Sequence, residues 1–241
     1  MIVAIIPTRL QSMRFPGKAL IDLCGKPALE HIVDRIRAVV WPGEEERPVV
    51  GDIILATTQC CIDYKIVDLA RKLNVKSFMG DEYDPLNRMY RAALWAKAEH
   101  VIRITHDCCL IDPTIIAETI VHYFNEKADY CASRMDPTAY PDGMDVEIFS
   151  FAALAQAYDL AEGESREHVT PWIKEIGLFK CVNTPSTKTY GPEPKLCIDT
   201  MVDYKFIRGI YEKLHHKNQL FGLREIEEEL GEFAIGPRTV D

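Results

Sequence analysis

Apolar and polar positions in the first half of the chain follow two alternating periods. IVAII at 2–6, DIILATT at 52–58 and HVIRIT at 100–105 are largely apolar runs of strand length, the pattern of strands buried on both faces. Between the first two, Leu29, Ile32, Val33, Ile36, Val39 and Val40 recur at three- and four-residue steps behind Pro27, which predicts a core-facing helix. The helical step returns at Ile62, Ile66, Leu69 and Leu73, and again at Leu86, Met89, Tyr90, Ala93 and Leu94. A further helix starts at Pro113 and carries Ile115, Ile116, Ile120 and Phe124. VKSFM at 75–79 and DYCASR at 129–134 read as short extended segments, and WPGEEERP at 41–48 as a charged loop.

Such alternation predicts an open, mainly parallel sheet with helices on both faces, whose ligands bind beyond the carboxyl ends of the strands. After Tyr140 the pattern is less regular. YPDGMDVEIFS reads as a turn and strand, 151–161 and 166–175 as helices, and LFKCVNTPS as a strand ending in a turn. A proline-rich loop precedes KLCID at 195–199, read as another strand, and helices follow at 202–215 and 223–230. The expectation is one α/β domain over 1–241 with a smaller inserted lobe at 136–194.

Composition narrows the function. Apolar content of 47% and charged content of 27% describe an ordinary globular chain. A net charge of −9 argues against nucleic-acid or anionic-membrane partners, while permitting one local cationic pocket. The opening MIVAII is too short for a signal peptide's apolar core, and a cytoplasmic location is expected. The 8 cysteines show no C-x-x-C spacing and the 7 histidines no H-E-x-x-H pattern, so reduced thiols and no transition-metal site are expected.

The stretch PTRLQSMRFPGKAL at 7–20 places Arg9, Arg14 and Lys18 in a loop just after the first strand. Gly17 lets a backbone approach a phosphate, Arg14 offers a planar fork of donors, and Lys18 a compact charge. It matches neither a Walker A loop nor G-x-G-x-x-G, and by itself fits a polyphosphate site or a solvated basic turn equally well. Asp107 and Asp199 each follow an apolar segment. Two carboxylates facing a triphosphate would suit Mg²⁺, although strand-end aspartates also serve as caps, the role expected of Asp112.

IIPTRLQSMRFPGKALIDLCGKPALEHIVDRI, VIRITHDCCLIDPTII, YPDGMDVEIFS, SREHVTPWI and CIDTMVDYKFIRGIYEKL occur in an order and spacing that resemble the cytidylyltransferase family. The resemblance spans nearly the whole chain and points to the spore-coat polysaccharide (SpsF-type) branch, related to the 3-deoxy-manno-octulosonate and acylneuraminate cytidylyltransferases. It implies a Rossmann-like sheet of the glycosyltransferase-A or nucleotidyltransferase type. It also implies Mg²⁺-dependent transfer of CMP from CTP to an acidic sugar or similar small acidic acceptor, with release of pyrophosphate, by a homodimer. Carried over by position, Pro7, Thr8, Arg9, Leu10, Arg14, Lys18, Thr57, Thr58, Arg88 and Asp107 would bind nucleotide. Arg14, Lys18 and Asp107 would be catalytic, and Asp107 and Asp199 would hold the metal. Tyr140, Asp142, Asp145, Glu147, Arg166 and His168 would meet the acceptor.

The chain departs from the family pattern at Gln11, Met13, Gln59, His106 and Cys109, which bears on nucleotide choice. The alternatives are the same reaction with another nucleotide such as GTP, a phosphonate or sugar-phosphate acceptor, or a catalytically silent nucleotide-binding protein. His106 is left out of the catalytic set, because alternation along a strand would turn it away from Asp107.

Overall fold

A computed structural model describes residues 1–41, 44–231 and 234–237. The central strands are β1 (Ile2–Pro7), β2 (Asp52–Thr58), β3 (Lys76–Gly80), β4 (His100–Arg103), β5 (Tyr130–Ala132), β6 (Glu147–Ser150) and β7 (Cys181–Asn183). They form one 7-stranded sheet in the order β7-β5-β6-β4-β1-β2-β3. Among these strands β6 alone runs antiparallel to its neighbours.

Both faces of the sheet are covered, which is why its central strands read as unbroken apolar runs. Ala4, Ile6, Ile53 and Leu55 face helices α1 (Ala28–Arg37), α2 (Tyr64–Lys72) and α4 (Pro113–Asn125). Val3, Ile5, Ile54 and Ala56 face α3 (Pro85–Trp95) and α5 (Phe151–Leu160). Truncating a fully buried residue such as Ile5 to Ala costs about 2–5 kcal/mol, from lost burial and the void left behind. Local chemistry starts the helices, and Asp112 takes the capping role expected of it. Asp112 Oδ1 accepts from Thr114 N at 2.7 Å with Pro113 in the first turn, and Asp84 accepts from Asn87 N at 2.9 Å before Pro85.

Three expectations are corrected. KLCID is not a strand: Leu196 N donates to Asp142 O at 2.6 Å and Ile198 N to Asp107 O at 3.0 Å, two isolated bonds to different segments rather than a ladder. Residues 166–175 form not one helix but the end of α6 (Glu164–His168) and all of α7 (Pro171–Glu175). Val169 breaks them at φ +74°, a left-handed conformation that a β-branched residue rarely adopts. Within the expected loop at 41–48, Glu44–Pro48 pairs antiparallel with Val40–Trp41; Pro42 and Gly43 lie outside the described residues. Of the segment 136–194, β6 and β7 lie in the main sheet.

Two more helices complete the carboxyl-terminal third, α8 (Met201–Leu214) and α9 (Leu223–Leu230). The N-cap of helix α8, Thr200, directly follows Asp199, and Thr200 and Asp203 cap each other's backbone, so the cap holds the aspartate's end of the segment. No helix among the described residues is long and apolar enough to cross a membrane. All 8 cysteines are free thiols.

Candidate active site

The loop after β1 is closed at its neck. Thr8 N donates to Ala56 O at 2.9 Å, carrying the line of β1 one residue further, and the Leu10 side chain is buried. Gly17 N then donates to Leu10 O at 2.8 Å, and Gly17 takes φ +77°, a conformation glycine accepts without a Cβ penalty. The closed loop turns Arg14 outward, its side chain 67% exposed, and Lys18 inward, its side chain 5% exposed.

The Lys18 ammonium uses all three of its protons. It donates to Asp107 Oδ2 at 3.0 Å, Asp199 Oδ1 at 2.9 Å and the Ile198 carbonyl at 2.8 Å. Asp199 also accepts from Arg14 at 2.9 Å and from Lys195 at 2.7 Å, so three cations surround it. The bond from Ile198 N to Asp107 O brings the two carboxylate-bearing segments side by side. Burial pushes the Lys18 pKa down, but Asp107 and Asp199 outweigh it and raise the pKa overall. Burial likewise pushes Asp107 up, but His106 and Lys18 hold it well below the usual carboxylate range. Asp199 is also lowered, its burial outweighed by Lys195 and Lys18. Both carboxylates are therefore ionised at neutral pH.

Of the other groups assigned to the nucleotide, Pro7, Thr57 and Thr58 lie at the carboxyl ends of β1 and β2, and Arg88 on α3. Pro7 O accepts from His106 Nδ1 at 3.0 Å, which fixes the imidazole tautomer and leaves the buried Nε2 without a partner. Thr57 is fully buried with its hydroxyl unpartnered, whereas Thr58 donates to Asp63 Oδ2 at 2.5 Å. Arg88 is buried and donates to the Asp81 carbonyl, and its Nε has no partner; burial first, then neighbouring Arg9, lower its pKa. Gln11 reaches Cys60 Sγ at 3.1 Å, and Met13 is 94% exposed.

A polar cavity of about 270 Å³ continues from Asp107 and Asp199 toward β5 and β6. Asp142, Asp145 and Glu147 line it. Arg134, just beyond β5, grips the Asp142–Asp145 turn at 2.8 Å and 3.0 Å, and its remaining donors meet the Tyr140 and Pro137 carbonyls. Glu147 accepts from Tyr130 at 2.6 Å, from Thr170 at 2.8 Å and from Arg103. Burial pushes Glu147 up, but Arg103 and its other donors lower it overall; at Asp145 burial wins over Arg134 and the pKa is raised.

The other acceptor-side residues of the sequence reading lie outside this cavity. The Tyr140 hydroxyl donates to Pro185 O at 2.8 Å, beside a separate groove between α4 and α9. Arg166 is bound to Asp84 at 2.7 Å and to the Tyr158 and Ala161 carbonyls. His168 is exposed at the end of α6.

Sequence reasoning did not single out Asp63, Arg103, Arg134, Lys174 or Lys195. Arg134 ends the DYCASR strand much as Asp107 ends its own, a signal available in the sequence; Asp63 carries none, because its partners are set by the fold.

The donor set fits a hard divalent cation. Two ionised carboxylates each place an oxygen within 3.0 Å of one cationic atom, and Mg²⁺ typically takes one or two carboxylates together with phosphate oxygens and water.

The cytidylyltransferase family model matches residues 3–226, and the chain belongs to that family. It is a nucleotidyltransferase. An uncharacterized protein of Methanocaldococcus jannaschii is 32% identical over 207 residues, covering 85% of this chain and 80% of that protein. The spore coat polysaccharide biosynthesis protein SpsF of Bacillus subtilis is 26% identical over 216 residues, covering 88% and 87%. Solved structures share the fold. A cytidylyltransferase from Leptospira borgpetersenii superposes with a TM-score of 0.83 at 24% identity, covering 100% of this chain and 98% of that one. A CMP:2-keto-3-deoxy-manno-octonic acid synthetase complexed with CTP gives 0.62 at 16% identity, covering 88% and 98%. The mixed, mainly parallel sheet is thus of the nucleotidyltransferase type.

Proposed function

We propose that the chain transfers CMP from CTP to a small acidic acceptor, such as an acidic sugar, and releases pyrophosphate. The observation that carries this reading is the pairing of Asp107 and Asp199 around Lys18, with Arg14 alongside, at the mouth of a polar cavity. An acceptor hydroxyl in that cavity attacks the α-phosphate in line while charge grows on the departing pyrophosphate. Catalysis of this kind is mostly positioning and electrostatic stabilisation, so no protein nucleophile is required.

Arg14, whose side chain is largely exposed, and Lys18 neutralise the triphosphate. Asp107 stays ionised and serves as a ligand rather than a base. Mg²⁺ on Asp107 and Asp199 would supply charge neutralisation at the α-phosphate and orient the incoming oxygen. Asp142, Asp145 and Glu147 offer hydrogen-bond acceptors to the acceptor's hydroxyls. Arg103 and Arg134 are already engaged by carboxylates, which favours a second reading: a sugar phosphate whose anionic group meets the exposed Lys174 on the cavity wall.

Family membership supports a cytoplasmic homodimer assembled through residues 136–194, which light scattering would check. The main test is a matrix of nucleoside triphosphates against acidic sugars, sugar phosphates and phosphonates, read by pyrophosphate release. Turnover with CTP and an acidic sugar is expected. Preference for GTP would overturn the nucleotide assignment, and NTP binding without turnover across the matrix would favour a silent binding protein.

A further inference from the structure

We infer that Asp63 is the positioning residue that sets the geometry of the triphosphate loop, an assignment that rests on reading residues 7–18 as that loop. Asp63 lies at the amino end of α2, is 1% exposed, and spends both carboxylate oxygens on the two segments that frame the nucleotide side of the site. Oδ1 accepts from Leu10 N at 2.9 Å. Oδ2 accepts from the Thr58 hydroxyl at 2.5 Å and faces Thr58 N at 3.4 Å. The Thr58 hydroxyl in turn accepts from Cys60 N at 3.2 Å, which closes the turn that carries Asp63.

The Leu10 peptide is therefore held from both sides. Its N–H is bound by Asp63, and its carbonyl is bound by Gly17 N at 2.8 Å. Lys18 follows Gly17 directly, so a short relay of hydrogen bonds runs from the end of β2 through Asp63, Leu10 and Gly17 to the ammonium between Asp107 and Asp199. Removing Asp63 leaves the Leu10 amide and the Thr58 hydroxyl without their partner in a buried place. The loop neck is then free to shift, and the cations it carries lose their alignment. Asp63 acts through Leu10 and touches no substrate.

The test compares Asp63→Ala and Asp63→Asn in the full chain. Asparagine keeps a carbonyl oxygen for Leu10 N and a polar group for Thr58, so it should rescue what alanine loses. Hydrogen exchange should quicken about tenfold or more at the Leu10 and Gly17 amides in Asp63→Ala, and stay within about threefold of wild type in Asp63→Asn. The dissociation constant for Mg-CTP should rise by about tenfold in Asp63→Ala, while the KM for the acceptor moves by less than about twofold. If Asp63→Ala does not fold, Asp63→Glu, which displaces the charge by one methylene, carries the same expectation at about threefold or more. Unchanged exchange at Leu10 and Gly17, or unchanged nucleotide affinity in a variant with faster exchange, overturns the assignment. A wild-type chain that binds no nucleoside triphosphate would instead overturn the proposed function, and the exchange measurement would still decide the relay.

Discussion

The ammonium of Lys18 lies 2.9 Å from Asp199 and 3.0 Å from Asp107, so one buried cation joins two carboxylates that are distant in the chain. The same two side chains are the proposed metal ligands. Lys18 stands between them, where a divalent ion would balance their charge, so a metal ion binding these carboxylates without nucleotide would compete with it.

Lys18→Met should therefore bind Mn²⁺ about tenfold or more tightly in the absence of nucleotide, because two uncompensated carboxylates remain. Its pyrophosphate release should fall by about 100-fold or more, because a donor to the developing charge is gone. Paramagnetic resonance of free Mn²⁺ and a pyrophosphate assay check the two halves separately. Equal metal affinity in wild type and variant would show that Lys18 does not compete for the seat.

Gly143→Ala should be strongly destabilising. Gly143 has φ +103°, and a Cβ there would lie 2.3 Å from the Leu196 carbonyl, in the segment that leads to Asp199. Relief requires a backbone shift, so a loss of about 2–4 kcal/mol is expected by denaturant unfolding, together with reduced turnover. A variant of wild-type stability would mean that the 142–145 turn does not brace that segment.

Acid should weaken the fold before the carboxylates titrate. His31 is buried between α1 and α8, donates to Leu23 O at 2.8 Å, and lies beside His215, Arg35 and Lys26; burial is the main cause that lowers its pKa to about 4. The unfolded chain binds this proton near pH 6.5, so the stability from neutral His31 is complete above that value and is lost as pH falls toward 4. A loss of about 2 kcal/mol is expected between pH 7 and pH 5. Thermal unfolding should show the drop, and His31→Gln should make it shallower; an equally steep drop in the variant would assign the effect elsewhere, to the other histidines that burial lowers, His100, His106 and His215.

The sequence made the sheet legible where burial is two-sided. β1, β2 and β4 are covered on both faces, so tertiary context and local pattern agree, and caps such as Asp112 before Pro113 announce their helices. Legibility failed where single long-range bonds decide the path. Residues 195–199 have the composition of a strand, yet one bond to Asp142 and one to Asp107 hold them as an irregular segment. Within the site, Arg14, Lys18, Asp107 and Asp199 converge as a reader of the sequence would hope. The engagement of Arg134 by Asp142 and Asp145, the third cation at Asp199, and the role of Asp63 depend on which loops the sheet order brings together. Tyr140 and Arg166 likewise spend their polar ends on partners that no local pattern reveals.

The central claim is that Asp107 and Asp199 together serve nucleotidyl transfer. The direct measurement is Mg²⁺-dependent pyrophosphate release by wild type, Asp107→Ala and Asp199→Asn, using the best nucleotide and acceptor pair. The account predicts that each variant loses about 100-fold or more in kcat while remaining folded. Turnover close to wild type in both would contradict it.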